Sequence, residues 1–295
     1  MISLLSELSS EYERLQPRSL AAIRSRLGTL SRYVERNRTL AKALKRAQIV
    51  KYQRLRQRCG AAPATINREV EILRGAFTFG AENEVVLRIP KFPMLDQRQN
   101  ERTRVVTPDE YESMRDVLRF TDGRLRPEGF LWVAMYHTGQ RQGQLMKLSP
   151  ERIDWSRMVL RPPLEQRSSK RVGHSPIYGE WERELLFWEA EREAKFPNCQ
   201  WVFRRGDQPM KDYASLFKRA RKRLGLEDLQ FYDLRRSALL NAIKAGYTQE
   251  QLLAMFGWVS EKMLRRYFQP DAELVSRMRE GLTTELARPG KRSFQ

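Results

Sequence analysis

Two stretches, FYDLRRS at 231–237 and FGWVSEKMLRRYFQP at 256–270, each set an arginine pair beside a tyrosine. In a chain with 55 Lys+Arg, neither pair is informative alone. A further arginine, Arg141, stands in TGQRQGQL at 138–145, behind a Thr-Gly turn. From Arg235 to Gly246 is 11 residues, from Gly246 to Gly257 another 11, and from Trp258 to Tyr267 is 9. Residues of these types suit phosphate chemistry. Cleaving a phosphodiester without a metal needs a nucleophile, and cations on the two non-bridging oxygens. Arginine fills the second role because its planar fork donates two parallel hydrogen bonds and stays charged at any working pH. Arg141 and Arg235 come from separate segments that can converge on one phosphate. A tyrosine hydroxyl can serve as the nucleophile, and by residue type alone Tyr213, Tyr232, Tyr247 and Tyr267 all qualify.

Composition agrees with a polyanionic partner. Against the 55 basic residues stand 36 acidic ones, giving a net charge of +19 over 295 residues. Each phosphate neutralised by such a chain releases condensed counterions, so nucleic acid is the expected partner. A basic, ribosome-associated protein and an anionic membrane surface are the other readings of the charge. Cys59 and Cys199 stand far apart and the two histidines, His137 and His174, form no zinc-binding pattern. Disulfide frameworks and histidine- or cysteine-based metal chemistry are therefore not expected. The opening MISLLSELSSEYERLQ is too acidic and too short in its apolar part for a signal peptide. No run approaches the ~18 apolar residues of a membrane span, so the chain reads as soluble and intracellular.

The elements that must position these residues follow from periodicity. Met1 to about Phe92 reads as helices. One opens at Pro17, with Leu20, Ile23, Leu27, Leu30 and Tyr33 in helical spacing; a second covers about 40–59, with Leu44, Ile49, Tyr52 and Leu55, and stops at Gly60. A third starts near Pro63 and aligns Ile66, Val70, Leu73 and Phe77. Residues 1–105 hold 21 basic and 10 acidic side chains, a denser positive charge than the remainder carries. Residues 88–106 contain two prolines and much charge without periodicity, as expected of a linker. Thr107-Pro-Asp-Glu is a capping box opening the next domain. Helices over 107–119 and 127–137 follow, then the Arg141 turn and a short helix. Residues 158–178 read as a small antiparallel hairpin with a basic tip, and a strand-like piece at 201–205 interrupts an otherwise helical remainder.

At this point the four motifs together resemble the tyrosine recombinase, or phage integrase, family. TGQRQGQL looks like its first arginine motif, YDLRRS like its second arginine box, FGW like its Leu-Gly-His/Trp element and RRY like its nucleophile. The segment ATINREVEILRGAFTFGAENEVV also looks like the last helix of the family's core-binding domain. The resemblance implies a mainly α fold with a small antiparallel sheet: residues 1–92 a helical core-type DNA-binding domain, 93–106 a linker, and 107–295 a mixed α/β catalytic domain with a C-terminal helix. It implies a site-specific DNA recombinase acting through a covalent 3′-phosphotyrosyl intermediate. Its partner would be double-stranded DNA, clamped between two domains within a tetramer, with no metal and no nucleotide cofactor. A separate N-terminal arm-binding domain is not expected.

The resemblance also assigns roles. Tyr267 alone stands at the expected distance from Gly257–Trp258 and becomes the nucleophile. Trp258 would pack beside the phosphate and donate its indole N–H, and Arg141 and Arg235 would hold the phosphate oxygens. Lys170 is the only lysine on the hairpin and would protonate the leaving 5′-hydroxyl, with Arg167 and Arg171 flanking it. Two positions depart from the family. Gln144 stands where an acid is usual, so it can hydrogen-bond but not neutralise the cluster. Tyr232 replaces the second box's histidine, and a phenol of pKa about 10 can donate to a phosphate but is a poor base near neutrality. A type IB topoisomerase-like enzyme, and a DNA-binding relative with a decayed site, are the competing readings. Each other residue has a plainer alternative: an amphipathic core tyrosine, a core tryptophan, a surface ion pair or a solvated turn lysine.

Overall fold

Thr107 accepts a hydrogen bond from the Glu110 N–H at 3.2 Å, and the Glu110 carboxylate accepts one from the Thr107 N–H at 2.9 Å. This reciprocal cap, with Pro108 in the first turn, starts helix α5 (Pro108–Val117) where the sequence placed it. The computed structural model describes residues 2–15, 20–36, 44–86, 88–97, 102–161, 173–258 and 264. The chain divides into two units, Met1–Thr103 and Arg104–Gln295.

The first unit contains helices α1 (Ile2–Leu15), α2 (Leu20–Arg36), α3 (Arg46–Arg58) and α4 (Pro63–Glu82). The expected stripe of α4 is buried, with Ile66, Val70 and Phe77 all at 0 % exposure. On α2 the stripe runs through Ile23, Leu27, Leu30 and Val34, while Tyr33 is half-buried and meets the Tyr52 ring edge-on at 4.8 Å. Helix α3 departs from expectation: Leu55 is exposed, and the buried side is completed by the polar Gln53. Gln53 Nε2 donates to the Pro93 carbonyl at 2.7 Å, and Asn67 exchanges two 2.8 Å hydrogen bonds with the Leu95 backbone. The proline-rich stretch read as linker is thus tied, as far as Leu95, to α3 and α4. Buried Glu69 accepts from the Tyr52 hydroxyl at 2.7 Å and from two nitrogens of Arg56 at 2.9 Å.

The second unit is organised around α6 (Pro127–Thr138), buried on every side from Pro127 to Met135. Apart from Glu128, which pairs with Arg205, its sequence from Pro127 to Met135 is apolar all round, as a central helix requires. Against it pack α5, α8 (Gly179–Lys195) and α10 (Phe231–Lys244), with the short α7 (Gln142–Leu145) following on. Phe130 stacks on Trp188 and Phe203 at 5.0 and 4.7 Å. Strands β1 (Ile153–Asp154), β2 (Val159–Leu160) and β3 (Ser175–Pro176) make an antiparallel sheet in that order, with Leu160 opposite Ser175. The expected hairpin is therefore present at its base, and β1 is a strand the sequence did not signal. The strand-like piece is shorter than expected and forms a second hairpin, β4 (Arg204–Arg205) with β5 (Gln208–Pro209). Helices α9 (Ala214–Arg223) and α11 (Gln249–Phe256) complete a mainly helical unit with small antiparallel sheets, the expected fold class. Among the described residues no helix is long and apolar enough to cross a membrane.

Candidate active site

Helix α6 ends where the Thr138 hydroxyl folds back onto the Ala134 carbonyl at 2.6 Å and Gly139 turns left-handed at φ 59°. Gly139 is needed twice over. Its φ disfavours any L side chain, and a Cβ there would be driven into the Phe256 ring and against Ala238. The turn delivers Arg141, half-buried and extended, to the N-cap position of α7.

Arg235 sits one turn into α10, whose start is fixed by a cap between Gln230 and Asp233. Its side chain is 3 % exposed. Nη1 donates to the Gly139 carbonyl at 2.6 Å and Nη2 to the Phe256 carbonyl at 2.7 Å. Its Cζ lies 5.2 Å from the ring centroids of both Phe256 and Trp258. Those rings stack at 5.1 Å, and Trp258 is buried at 6 % exposure beside Leu239 and Leu264. One guanidinium therefore joins the first arginine turn, the second arginine helix and the FGW element. A buried cation held by two carbonyls and two aromatic faces is fixed in position, as phosphate recognition by a fork requires.

Tyr232 is on the same helix but not in this buried cluster: its side chain is 58 % exposed at the first turn. Gln144, at the position where the sequence raised the question of an amide replacing an acid, keeps its side-chain oxygen buried with no hydrogen-bond donor among the described residues. Lys170 and Tyr267 lie outside the described residues, as do the helices expected over 260–268, Leu264 apart, and after Pro270.

His137, at the end of α6, lies against Glu180 and the Tyr111 ring. Its Nε2 lies 3.8 Å from Glu180, which also accepts from Tyr111 at 2.7 Å and Arg115 at 3.1 Å. His137 and these donors hold the Glu180 carboxyl down at about 2 against the opposing effect of its burial. His174 is exposed, and its backbone N–H donates to the Ala254 carbonyl at 3.0 Å.

Sequence reasoning missed two polar residues in the cluster. Gln140 and Ser175 are both 0 % exposed. Gln140 Nε2 donates to Ser175 Oγ at 2.7 Å and to the Met255 carbonyl at 2.9 Å, and Ser175 Oγ donates to the Thr138 carbonyl at 3.0 Å. Ser237, in the second arginine box, accepts from the Val106 N–H at 2.8 Å and so hooks the start of this unit onto α10. Only the position of Gln140 inside the first motif could have drawn attention to it.

The sequence pattern of the phage integrase family matches residues 104–273, a span that contains all four motifs. The chain belongs to the phage integrase family. It is a tyrosine recombinase, a site-specific enzyme that breaks and rejoins DNA strands. Solved integrases share the fold at low sequence identity. The integrase of transposon Tn1549, solved with circular-intermediate DNA, is 16 % identical, with a TM-score of 0.72 over 93 % of this chain and 98 % of that one. Lambda integrase, solved as a tetramer on a Holliday junction, is 15 % identical, with a TM-score of 0.67 over 92 % of this integrase and 80 % of lambda's. A lambda integrase dimer on a core site gives 0.65 at 15 % identity, over 90 % and 76 % of the two chains. No curated protein matches the chain.

Proposed function

We propose that Tyr267 is the nucleophile of this integrase, and that Arg141 and Arg235 bind the two non-bridging oxygens of the scissile phosphate. The Tyr267 oxygen attacks phosphorus, the bond to the 5′-oxygen breaks, and Lys170 supplies the proton that the leaving oxygen takes up. A 3′-phosphotyrosyl ester is left, which a second 5′-hydroxyl can attack to rejoin a strand. Trp258 packs beside the phosphate, and the Tyr232 hydroxyl adds one donor to a non-bridging oxygen. Two arginine forks stabilise the charge that grows on the phosphate, and no metal or nucleotide is needed for that step.

The single observation that supports this reading is the Arg235 guanidinium, held between the Gly139 and Phe256 carbonyls beside the turn that carries Arg141. The basic N-terminal unit grips the duplex together with the catalytic unit. Four protomers act on two recombining sites of a mobile element, at the nucleoid, with the segment after Pro270 reaching a neighbouring protomer. The test is a nicked suicide substrate in EDTA. Wild type is expected to form a denaturant-resistant protein–DNA adduct and Tyr267→Phe none; an adduct with the Phe variant overturns the assignment.

A further inference from the structure

The buried Gln140 amide takes no part in the proposed chemistry, yet it joins three of the segments that do. Its orientation is dictated by its partners. The single proton of Ser175 Oγ is committed to the Thr138 carbonyl, so that oxygen can only accept from Gln140; the Met255 carbonyl can only accept as well. The NH₂ group therefore faces both, and the amide oxygen is left without a donor among the described residues. Through these bonds the turn before Arg141, the last turn of α11 and strand β3 are held at one point. Two further features press the hairpin onto α11. The His174 N–H donates to the Ala254 carbonyl, and Gly173 approaches so closely that a Cβ would be driven into the Met255 carbonyl.

We propose that Gln140 is a positioning residue for protonation of the leaving group: it fixes the hairpin base so that the hairpin lysine can reach the departing 5′-oxygen. This rests on the reading of Lys170 as the general acid. Lys170 stands three residues before Gly173, a separation the chain can stretch to at most about 11 Å. Anchoring Gly173 against α11 and the arginine turn thus fixes the base from which the hairpin leads back to Lys170. The arginine fork has its own supports in Gly139 and Phe256, so loss of the amide is expected to weaken proton delivery and spare phosphate binding.

A scissile phosphate with sulfur in place of the 5′-bridging oxygen separates the two effects. As the tyrosyl P–O bond forms and the P–S bond breaks, sulfur departs as a thiolate that needs no proton, its conjugate thiol having a pKa of about 8.5. The oxygen leaving group must be protonated. Single-turnover cleavage would be measured on both substrates with full-length Gln140→Met, Ser175→Ala and Lys170→Ala, alongside DNA affinity. On oxygen DNA, Gln140→Met and Ser175→Ala are expected to be roughly ten- to a hundredfold slower with affinity unchanged, because each leaves buried partners unsatisfied. On sulfur DNA both should come within about threefold of wild type, as should Lys170→Ala, since no general acid is then required. If sulfur rescues Lys170→Ala but leaves the other two equally slow, or if they are never slow, the proposal is overturned. If sulfur fails to rescue Lys170→Ala, the reading of the lysine fails first. Ser175→Ala breaks the same hydrogen bond from the hairpin side with little change in volume, so the test stands if Gln140→Met does not fold.

Discussion

Helix α3 of the N-terminal unit and helix α10 of the catalytic unit handle arginine differently. On α3, Arg56 is forked onto the buried Glu69 carboxylate at 2.9 Å, while Lys51, Arg54 and Arg58 project into solvent. On α10, Arg235 is itself buried, with backbone carbonyls and aromatic rings around it. Exposed cations act in sum: each contributes a little to the attraction for a polyanion and the contribution is screened by salt. A buried, oriented fork acts at one place and needs no reorganisation when charge develops there. The first arrangement suits holding DNA, the second suits turning over one phosphate.

The largest expected effect tests the second half of that contrast. Arg235→Lys keeps the charge but has no fork to span the Gly139 and Phe256 carbonyls. Cleavage at saturating DNA should fall by about 10²–10³, the usual loss for one oriented oxyanion donor, with DNA affinity nearly unchanged. A mild effect would place Arg235 in the fold rather than the reaction. Next is Tyr232→Phe, which removes one hydrogen bond to a charged oxygen, about 1.5–3 kcal/mol or roughly ten- to a hundredfold in single-turnover rate. Tyr232→His should keep or raise the rate. Complete inactivity of both variants would give this exposed phenol a role beyond one hydrogen bond.

Arg54→Gln with Arg58→Gln addresses the other half. Affinity should drop about tenfold at moderate salt, and the slope of log K against log salt should flatten by about 0.9 for each phosphate that is no longer neutralised. The rate at saturating DNA should stay at the wild-type value; a fall in that rate would erase the contrast between the units. The smallest effect concerns Glu180, whose carboxyl is held at about 2. With the pKa lowered by folding, its stabilisation is complete above the unfolded value of about 4.3 and disappears as pH falls toward 2. Glu180→Gln should lower the melting temperature by roughly 2–4 °C at pH 7, and the difference should shrink below about pH 4 and close only near pH 2. An equal difference at both pH values would mean that packing, not charge, is what Glu180 supplies.

What the sequence made legible was local or strongly periodic. The Thr107 cap involves residues three apart, and the α4 stripe repeats with the helix, so both could be read directly. The four motifs were legible by their order and spacing. Leu55 was misassigned because α3 covers its buried side with Gln53, an amide that satisfies the Pro93 carbonyl and cannot be distinguished by periodicity from a solvated one. Strands β1 and β5, two residues each, are too short for any alternation to register. The Gln140 cluster was invisible for a different reason. Its partners stand 35 and 115 positions away in the chain, and only the fold brings them into hydrogen-bond range.

The crowding at Gly139 also constrains how this site can change over generations. An alanine there meets the Phe256 ring, so it becomes tolerable only after that ring has been replaced by something smaller. Yet Phe256 is one of the two faces against which Arg235 rests, and its carbonyl accepts from the same guanidinium. A lineage drifting at position 139 must therefore weaken the second arginine before it can alter the turn that carries the first. The two substitutions are not interchangeable in order, and each is harmful alone, since a left-handed backbone at φ 59° burdens any side chain as well. Position 139 thus sits on a local fitness peak with steep sides, and a population under selection for strand exchange has almost no single-step route away from it.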